Sequence, residues 1–154
     1  AFVLLGTGNA EYEDFMRGAE WRHKGRLCAY IGYDEALSHR VYAGSDFLLM
    51  PSSFEPCGLS QMIAMRYGTL PIVRETGGLK DTVHAYEAWN GAGNGFSFAD
   101  YNAGDMCHVV CEAIDLYHSN KPACAALQKR GMTADFSWTL SAKAYNDIYR
   151  SICR

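Results

Sequence analysis

At residues 46–61 the chain reads Asp46-Phe47-Leu48-Leu49-Met50-Pro51-Ser52-Ser53-Phe54-Glu55-Pro56-Cys57-Gly58-Leu59-Ser60-Gln61. The apolar run Phe47–Met50 is bounded by Asp46 and Pro51, a pattern typical of a strand buried on both faces. From Ser60 onward, apolar residues recur at helical spacing until Gly68, which is placed to end a helix. The stretch therefore predicts a strand, a loop and a helix, the repeating unit of a parallel α/β sheet.

The loop after this strand combines a carboxylate, a thiol and backbone N–H groups. Open α/β sheets bind ligands at the carboxyl ends of their strands. The first N–H groups of a helix lack partners within the helix and carry the positive end of its dipole, so a phosphate is favoured near Gly58. Glu55 precedes a proline, which favours an extended conformation and leaves the carboxylate free to meet hydroxyls. A phosphate cradle beside a carboxylate suggests a nucleotide sugar as ligand.

Apolar runs alternate with helical patterns along the rest of the chain. Strands are predicted at residues 2–5, 27–31, 47–50, 70–73 and 95–98, and helices at 11–20, 35–43, 60–67, 80–88, 103–119, 122–133 and 139–152. The Gly/Asn-rich stretch 90–95 is too short to be an interdomain linker and is predicted to be a loop. This order predicts an α/β fold with a single Rossmann-like, doubly wound parallel sheet.

The composition indicates a soluble cytoplasmic domain. With 154 residues, 49% apolar and 20% charged, the chain is about one domain long and can bury a core. The net charge of −3 gives no general footprint for nucleic acid or an anionic membrane. No apolar run approaches the roughly 20 residues of a membrane span. Because Phe2 already begins a core strand directly after Ala1, we expect the chain to be a fragment of a longer protein.

The cysteines and histidines indicate no metal centre. Six cysteines at irregular spacing in a chain of this length fit reduced thiols better than disulfides: Cys28, Cys57, Cys107, Cys111, Cys124 and Cys153. Cys107 and Cys111 lie four residues apart on a predicted helix, but a zinc site needs two further ligands. None of the five histidines lies at a spacing from a nucleophile that would indicate a catalytic pair, and we expect them to be structural or surface residues. We predict no metal and no cofactor.

Three long motifs resemble a known family. They are Phe54-Glu55-Pro56-Cys57-Gly58-Leu59, Tyr67-Gly68-Thr69-Leu70-Pro71-Ile72-Val73-Arg74 and Thr76-Gly77-Gly78-Leu79-Lys80-Asp81-Thr82-Val83. Shorter stretches fit in the same order: Gly6-Thr7-Gly8, Gly32-Tyr33-Asp34-Glu35-Ala36-Leu37-Ser38-His39, Ala43-Gly44-Ser45-Asp46 and Asp135-Phe136-Ser137-Trp138. Over nearly its whole length the chain resembles the C-terminal domain of bacterial glycogen synthase and plant starch synthase. The resemblance implies the C-terminal half of a GT-B enzyme, a retaining glycosyltransferase that moves glucose from ADP-glucose to the non-reducing end of an α-1,4-glucan.

The resemblance also implies roles for the loop residues. Glu55 is the catalytic candidate, which contacts the donor glucose hydroxyls and stabilises an oxocarbenium-like transition state through its charge. Cys57 lines the glucose pocket. Gly58, Leu59 and Ser60 form the first turn of the helix, where the amides and the Ser60 hydroxyl hold the diphosphate. From spacing alone, Glu55 could instead be a solvated loop carboxylate or a helix cap, and Cys57 a small buried thiol.

The same resemblance assigns two residues nearer the N-terminus, Gly6 and Tyr33, to the nucleotide. Gly6 lets the backbone pass close to the nucleotide, and Tyr33 stacks on the adenine ring. A lone loop tyrosine is otherwise more often half-buried packing. Gly6-Thr7-Gly8 starts like a dinucleotide fingerprint, but the third glycine is replaced by Glu11, which disfavours a hydride-transfer enzyme and leaves a tight turn as the alternative.

What the chain lacks also bears on function. The resemblance implies that an Arg and a Lys located before residue 1 neutralise the diphosphate, and that the acceptor glucan sits against a separate N-terminal Rossmann domain. We therefore expect this polypeptide alone to turn over no substrate and at most to bind ADP weakly. Two alternatives stay open. The first is a UDP-sugar-dependent glycosyltransferase of this fold; many such enzymes carry a second Glu eight residues after the first, and Ile63 at that position argues against this alternative. The second is a noncatalytic nucleotide-binding module that keeps the fold.

Overall fold

The computed structural model describes residues 1–153, and in that range strands and helices alternate before three final helices. The elements are β1 (Phe2–Gly6), α1 (Ala10–Arg22), β2 (Leu27–Ile31), α2 (Glu35–Gly44), β3 (Phe47–Met50), α3 (Ser60–Tyr67), β4 (Leu70–Arg74), α4 (Gly77–Thr82), β5 (Phe96–Phe98), α5 (Ala103–Ser119), α6 (Lys121–Thr133) and α7 (Trp138–Ile152). Every paired strand runs parallel to its neighbour. The predicted α/β class with parallel, Rossmann-like strands is confirmed.

The strands are hydrogen-bonded in two sheets, and the chain divides into two compact units. The first unit, Ala1–Ser45, holds the β1-β2 sheet, and the second, Asp46–Arg154, holds the β3-β4-β5 sheet. The prediction of one continuous sheet therefore differs from the hydrogen bonding between the described strands. Alternation of strands and helices predicts parallel strands, but it does not say which strands are adjacent.

The core of the second unit covers both faces of β4. Leu70 and Ile72 pack in one cluster with residues of β5, α5 and α6, among them the fully buried Leu127. Val73, whose side chain points to the opposite face, packs with α3 and α4 residues such as Leu79. Helices thus cover both faces of this sheet, as a doubly wound arrangement requires.

The edge strand β3 is more exposed than predicted. All four residues of Phe47–Met50 are half-buried, whereas the run was expected to be buried on both faces. Among the described strands, β3 is hydrogen-bonded only to β4, so it forms one edge of the three-stranded sheet. A short apolar run has the same sequence pattern whether its strand is central or at an edge.

The predicted helix at residues 80–88 is wrong. The helix in this region is α4, which starts at Gly77 and ends at Thr82. Beyond it, the Tyr86 N–H donates to the Gly95 carbonyl at 2.8 Å, and the Asn94 side-chain oxygen accepts the His84 N–H at 2.7 Å. These contacts with the 90–95 loop hold the segment extended, so tertiary hydrogen bonds override the local helical pattern.

Two further properties of the described chain concern its surface and its thiols. None of the helices within residues 1–153 combines the length and apolarity needed to cross a membrane. All six cysteines are free, and five of them are exposed. Burial raises the pKa of the remaining thiol, Cys124, although the neighbouring Lys121 opposes the shift. This thiol is therefore protonated and packed in the core.

Candidate functional site

The loop between β3 and α3 presents an unpaired carboxylate. Glu55 is half-buried, and its carboxylate forms neither a hydrogen bond nor an ion pair with any residue from 1 to 153. Cys57 is exposed, so the interpretation as a small buried thiol is wrong. Neither side chain is used to hold the described fold together. Both are therefore available to a ligand at the carboxyl end of β3.

The turn that follows is built around Gly58. Its φ of +70° lies in the left-handed region, which favours glycine. A Cβ at this position would lie 2.7 Å from the Gln61 side-chain oxygen and 3.1 Å from a Leu79 methyl group. Conformation and space therefore both favour glycine at this position.

Helix α3 begins with free amides. It starts at Ser60, and the preceding Leu59 makes no side-chain capping bond. Within the described part of the chain, the N–H groups of Leu59 and Ser60 donate to no acceptor. Such amides at the positive end of a helix dipole favour an anion. The predicted cluster of Glu55, Cys57, Gly58, Leu59 and Ser60 is thus brought together in one continuous turn.

Two glycines of α4 support this turn from behind, a feature that sequence reasoning missed. A Cβ on Gly77 would lie 1.9 Å from the Glu55 carbonyl oxygen, and one on Gly78 would lie 1.9 Å from the Cys57 carbonyl oxygen. The interpretation of Thr76-Gly77-Gly78-Leu79 as a strand-to-helix turn is confirmed, but this turn also packs directly against the candidate site. A second glycine where one would suffice for a turn is the signal that could have revealed the contact.

Arg74, at the end of β4, holds the start of the same loop. Its guanidinium donates to the Ser53 carbonyl at 2.9 Å and lies 3.4 Å from the Ser52 carbonyl. The guanidinium carbon also lies 5.2 Å from the centroid of the Tyr101 ring, a cation–π distance. The hydrogen bond between Arg74 and Ser53 joins residues 21 positions apart, so it depends on the pairing of β3 with β4.

The first unit carries the two residues assigned to the nucleotide. Gly6 and Tyr33 lie at the carboxyl ends of the paired strands β1 and β2, where the Gly32 N–H donates to the Gly6 carbonyl at 3.0 Å. Tyr33 is 87% exposed, so the half-buried packing interpretation is wrong. Its ring is free to stack on a planar ligand.

The turn after β1 is not built to bind phosphate. The Glu13 carboxylate accepts the Gly8 N–H at 2.9 Å, and Glu11 and Glu13 both occupy the first turn of α1. Negative side chains at this helix start repel an anion. The interpretation of Gly6-Thr7-Gly8 as a tight turn, and not as part of a dinucleotide fingerprint, agrees with this arrangement.

Comparison with known proteins identifies the family. Residues 2–132 match the family described as glycosyl transferases group 1. The chain belongs to this glycosyltransferase family. The glycosyltransferase chain is 53% identical over 150 residues to glycogen synthase of Bacillus cereus strain B4264, covering 97% of this chain and 31% of that protein. It is 50% identical to glycogen synthase of Desulfitobacterium hafniense, again over 150 residues. It therefore spans about a third of the length of these relatives, and the resemblance seen in its motifs is confirmed.

Solved structures agree with this family. The catalytic domain of starch synthase IV from Arabidopsis thaliana, solved with ADP and acarbose, is 38% identical with a TM-score of 0.86, covering 99% of this glycosyltransferase chain and 32% of that one. Sucrose-phosphate synthase from Thermosynechococcus elongatus, 20% identical with a TM-score of 0.66, shares the fold. The chain therefore has the GT-B type of Rossmann-like structure.

The late motif Asp135-Phe136-Ser137-Trp138 starts helix α7 of the glycosyltransferase. The Ser137 N–H donates to the Asp135 carboxylate at 2.9 Å, and this hydrogen bond lowers the pKa of Asp135. The aspartate therefore stays ionised and shapes the bend before Trp138. No group of three or more His, Cys, Asp or Glu side chains in residues 1–153 is arranged to hold a metal ion.

Proposed function

We propose that this chain is the nucleotide-sugar-binding domain of a glycogen or starch synthase. The enzyme transfers glucose from ADP-glucose to the non-reducing end of an α-1,4-glucan with retention of configuration, in the cytoplasm. The observation that carries the proposal is the turn 55–60, which contains both the unpaired Glu55 carboxylate and the free Leu59 and Ser60 amides. Identity of 53% to a glycogen synthase, and likeness to a starch synthase solved with ADP, support the choice of donor and acceptor.

The site matches the charges that develop during glucosyl transfer. As the bond between glucose C1 and the diphosphate oxygen breaks, the diphosphate gains negative charge and the sugar ring gains positive charge. The Leu59 and Ser60 amides, with the Ser60 hydroxyl, stabilise the diphosphate, and the Glu55 carboxylate stabilises the oxocarbenium-like ring. The acceptor hydroxyl oxygen bonds to C1 on the face that the diphosphate leaves, and its proton passes to the departing diphosphate.

Each of the other candidate residues is assigned one contact with ADP-glucose. Cys57 contacts the glucose, and Gly58 allows the diphosphate to approach the backbone. In the first unit, the exposed Tyr33 ring stacks on adenine and Gly6 passes close to the nucleotide. The remaining two-thirds of the enzyme supplies the cations for the diphosphate and the surface that binds the glucan.

The isolated 154-residue chain is expected to bind ADP weakly and to transfer no glucose. Transfer in a two-domain glycosyltransferase needs a closed cleft that excludes water, and this chain covers about a third of its relatives. The measurement is calorimetric titration with ADP, followed by an assay of ADP release from ADP-glucose in the presence of glycogen. The full-length glycogen synthase of Bacillus cereus is the positive control. Elongation of glycogen by the isolated chain would contradict the expectation.

The same two measurements, extended to UDP and to the full-length protein, separate the alternatives. Tighter binding of UDP than of ADP would favour a UDP-sugar-dependent enzyme of this fold. ADP binding in a full-length protein that fails to extend a glucan would favour a noncatalytic nucleotide-binding module.

A further inference from the structure

Gln61 is a fully buried polar residue directly beneath the candidate diphosphate turn. Its exposure is 0%, although glutamine is usually found at the surface. Its side-chain nitrogen donates to the Gly58 carbonyl at 2.8 Å and lies 3.4 Å from the Cys57 carbonyl. The buried amide therefore binds the two carbonyl groups that define the turn.

Thr82 completes this arrangement from α4. Its hydroxyl accepts a hydrogen bond from the Gln61 side-chain nitrogen at 3.1 Å and donates to the Gly78 carbonyl at 2.6 Å. Gly78 itself packs on the Cys57 carbonyl. The last residue of α4 thus connects this helix to the turn through Gln61.

These contacts determine where the free amides point. In a trans peptide the C=O of one residue and the N–H of the next point in opposite directions. Because the Gly58 carbonyl points toward Gln61, the Leu59 N–H must point away from the core. The Cys57 carbonyl, more weakly held, directs the Gly58 N–H in the same sense. Gln61 therefore orients the Leu59 amide, one of the two amides proposed to hold the diphosphate.

The glutamine at this position carries both a cost and a benefit. The Gln61 side-chain oxygen is buried and has no hydrogen-bond partner within residues 1–153. A buried unpaired amide oxygen is destabilising; an apolar side chain of similar size would avoid this cost but would leave the Gly58 and Cys57 carbonyls without their donor. The benefit of glutamine lies in its nitrogen, which contacts only the turn and Thr82.

We propose that Gln61, supported by Thr82, is a positioning residue that aims the Leu59 amide at the donor diphosphate. This inference rests on the function proposed above. It predicts a selective loss of affinity: variants that remove the hydrogen bonds between Gln61 and the turn weaken binding of the diphosphate and leave contacts with the nucleoside unchanged.

The test compares ADP with adenosine, because only ADP carries the diphosphate. In the full-length protein that carries this sequence, Gln61→Met and Thr82→Val are each expected to weaken ADP binding by about tenfold, the effect of one hydrogen bond, with adenosine affinity unchanged. Thr82→Ser retains the hydroxyl and is expected to keep ADP affinity within about twofold of the wild-type value. Ser119→Ala is the matched control. Ser119 also ends a helix and donates its hydroxyl to the carbonyl four residues earlier, but it lies on α5.

The outcomes separate the positioning role from the proposed function. Equal weakening of ADP and adenosine, or unchanged ADP affinity in Thr82→Val and Gln61→Met, would overturn the positioning role while leaving the donor site intact. A wild-type protein that binds ADP no more tightly than adenosine would overturn the donor site and the positioning role together.

Discussion

Replacing Gly78 with alanine is expected to lower kcat/KM for glucosyl transfer by at least about 100-fold. The added Cβ would lie 1.9 Å from the Cys57 carbonyl oxygen, 2.6 Å from its carbon and 2.8 Å from the Cys57 Cα. All three are backbone atoms, so no side-chain rotation relieves the contact, and the candidate turn must move. A displacement of about 1 Å in a catalytic site costs about 100-fold in rate.

Gly44→Ala is the matched control for this substitution. A Cβ on Gly44 meets no atom within 4 Å, and this glycine is not among those with a positive φ. We expect the control to keep wild-type activity and ADP affinity, whereas Gly78→Ala loses both, in the full-length protein with kcat/KM measured on ADP-glucose and glycogen. Thermal unfolding followed by circular dichroism checks that both variants are folded. A folded Gly78→Ala variant with normal activity would show that the turn is not held as described.

Glu55→Gln is expected to lower kcat by about 100- to 1,000-fold and to leave ADP affinity unchanged. Glutamine keeps the shape of the side chain and removes its charge, so it loses the stabilisation of positive charge on the sugar ring in the transition state. Loss of one preorganised electrostatic group at an active site costs about this much. Because Glu55 makes no hydrogen bond or ion pair with the described residues, the fold should tolerate the change.

A second carboxylate provides the control for Glu55. Glu112 lies on α5, where its only ion-pair partner within residues 1–153 is His108 at 3.5 Å. Glu112→Gln should retain wild-type kcat. The two variants are compared by steady-state kinetics and by calorimetric titration with ADP. If Glu55→Gln kept full activity, the carboxylate would have no part in transfer, and a parallel loss of ADP affinity would place Glu55 at the nucleotide instead of the sugar.

Local patterns predicted the secondary structure where packing agrees with them. β2, β3, α3 and α5 have the predicted bounds, because apolar spacing and the helix-ending Gly68 determine them locally. The helix prediction for residues 80–88 failed because hydrogen bonds to Gly95 and Asn94 hold the part beyond Thr82 extended. The division of the strands into two sheets could not be predicted either, because strand adjacency depends on long-range pairing.

The same distinction applies to the candidate site. The turn from Glu55 to Ser60 is continuous in sequence, so the loop and the helix start could be predicted from proline, glycine and spacing. The supporting residues Arg74, Gly78 and Thr82 lie about 20 positions further along the chain and meet the turn only because β3 pairs with β4. No local pattern encodes such contacts, although the paired glycines were a usable signal.

A crystal structure of the full-length Glu55→Gln protein with bound ADP-glucose tests the central claim most directly. We predict that diphosphate oxygens lie about 2.7–3.2 Å from the Leu59 and Ser60 backbone nitrogens. The residue 55 side chain should face the glucose ring. A diphosphate bound away from the start of α3, or a residue 55 side chain turned away from the sugar, would contradict the account.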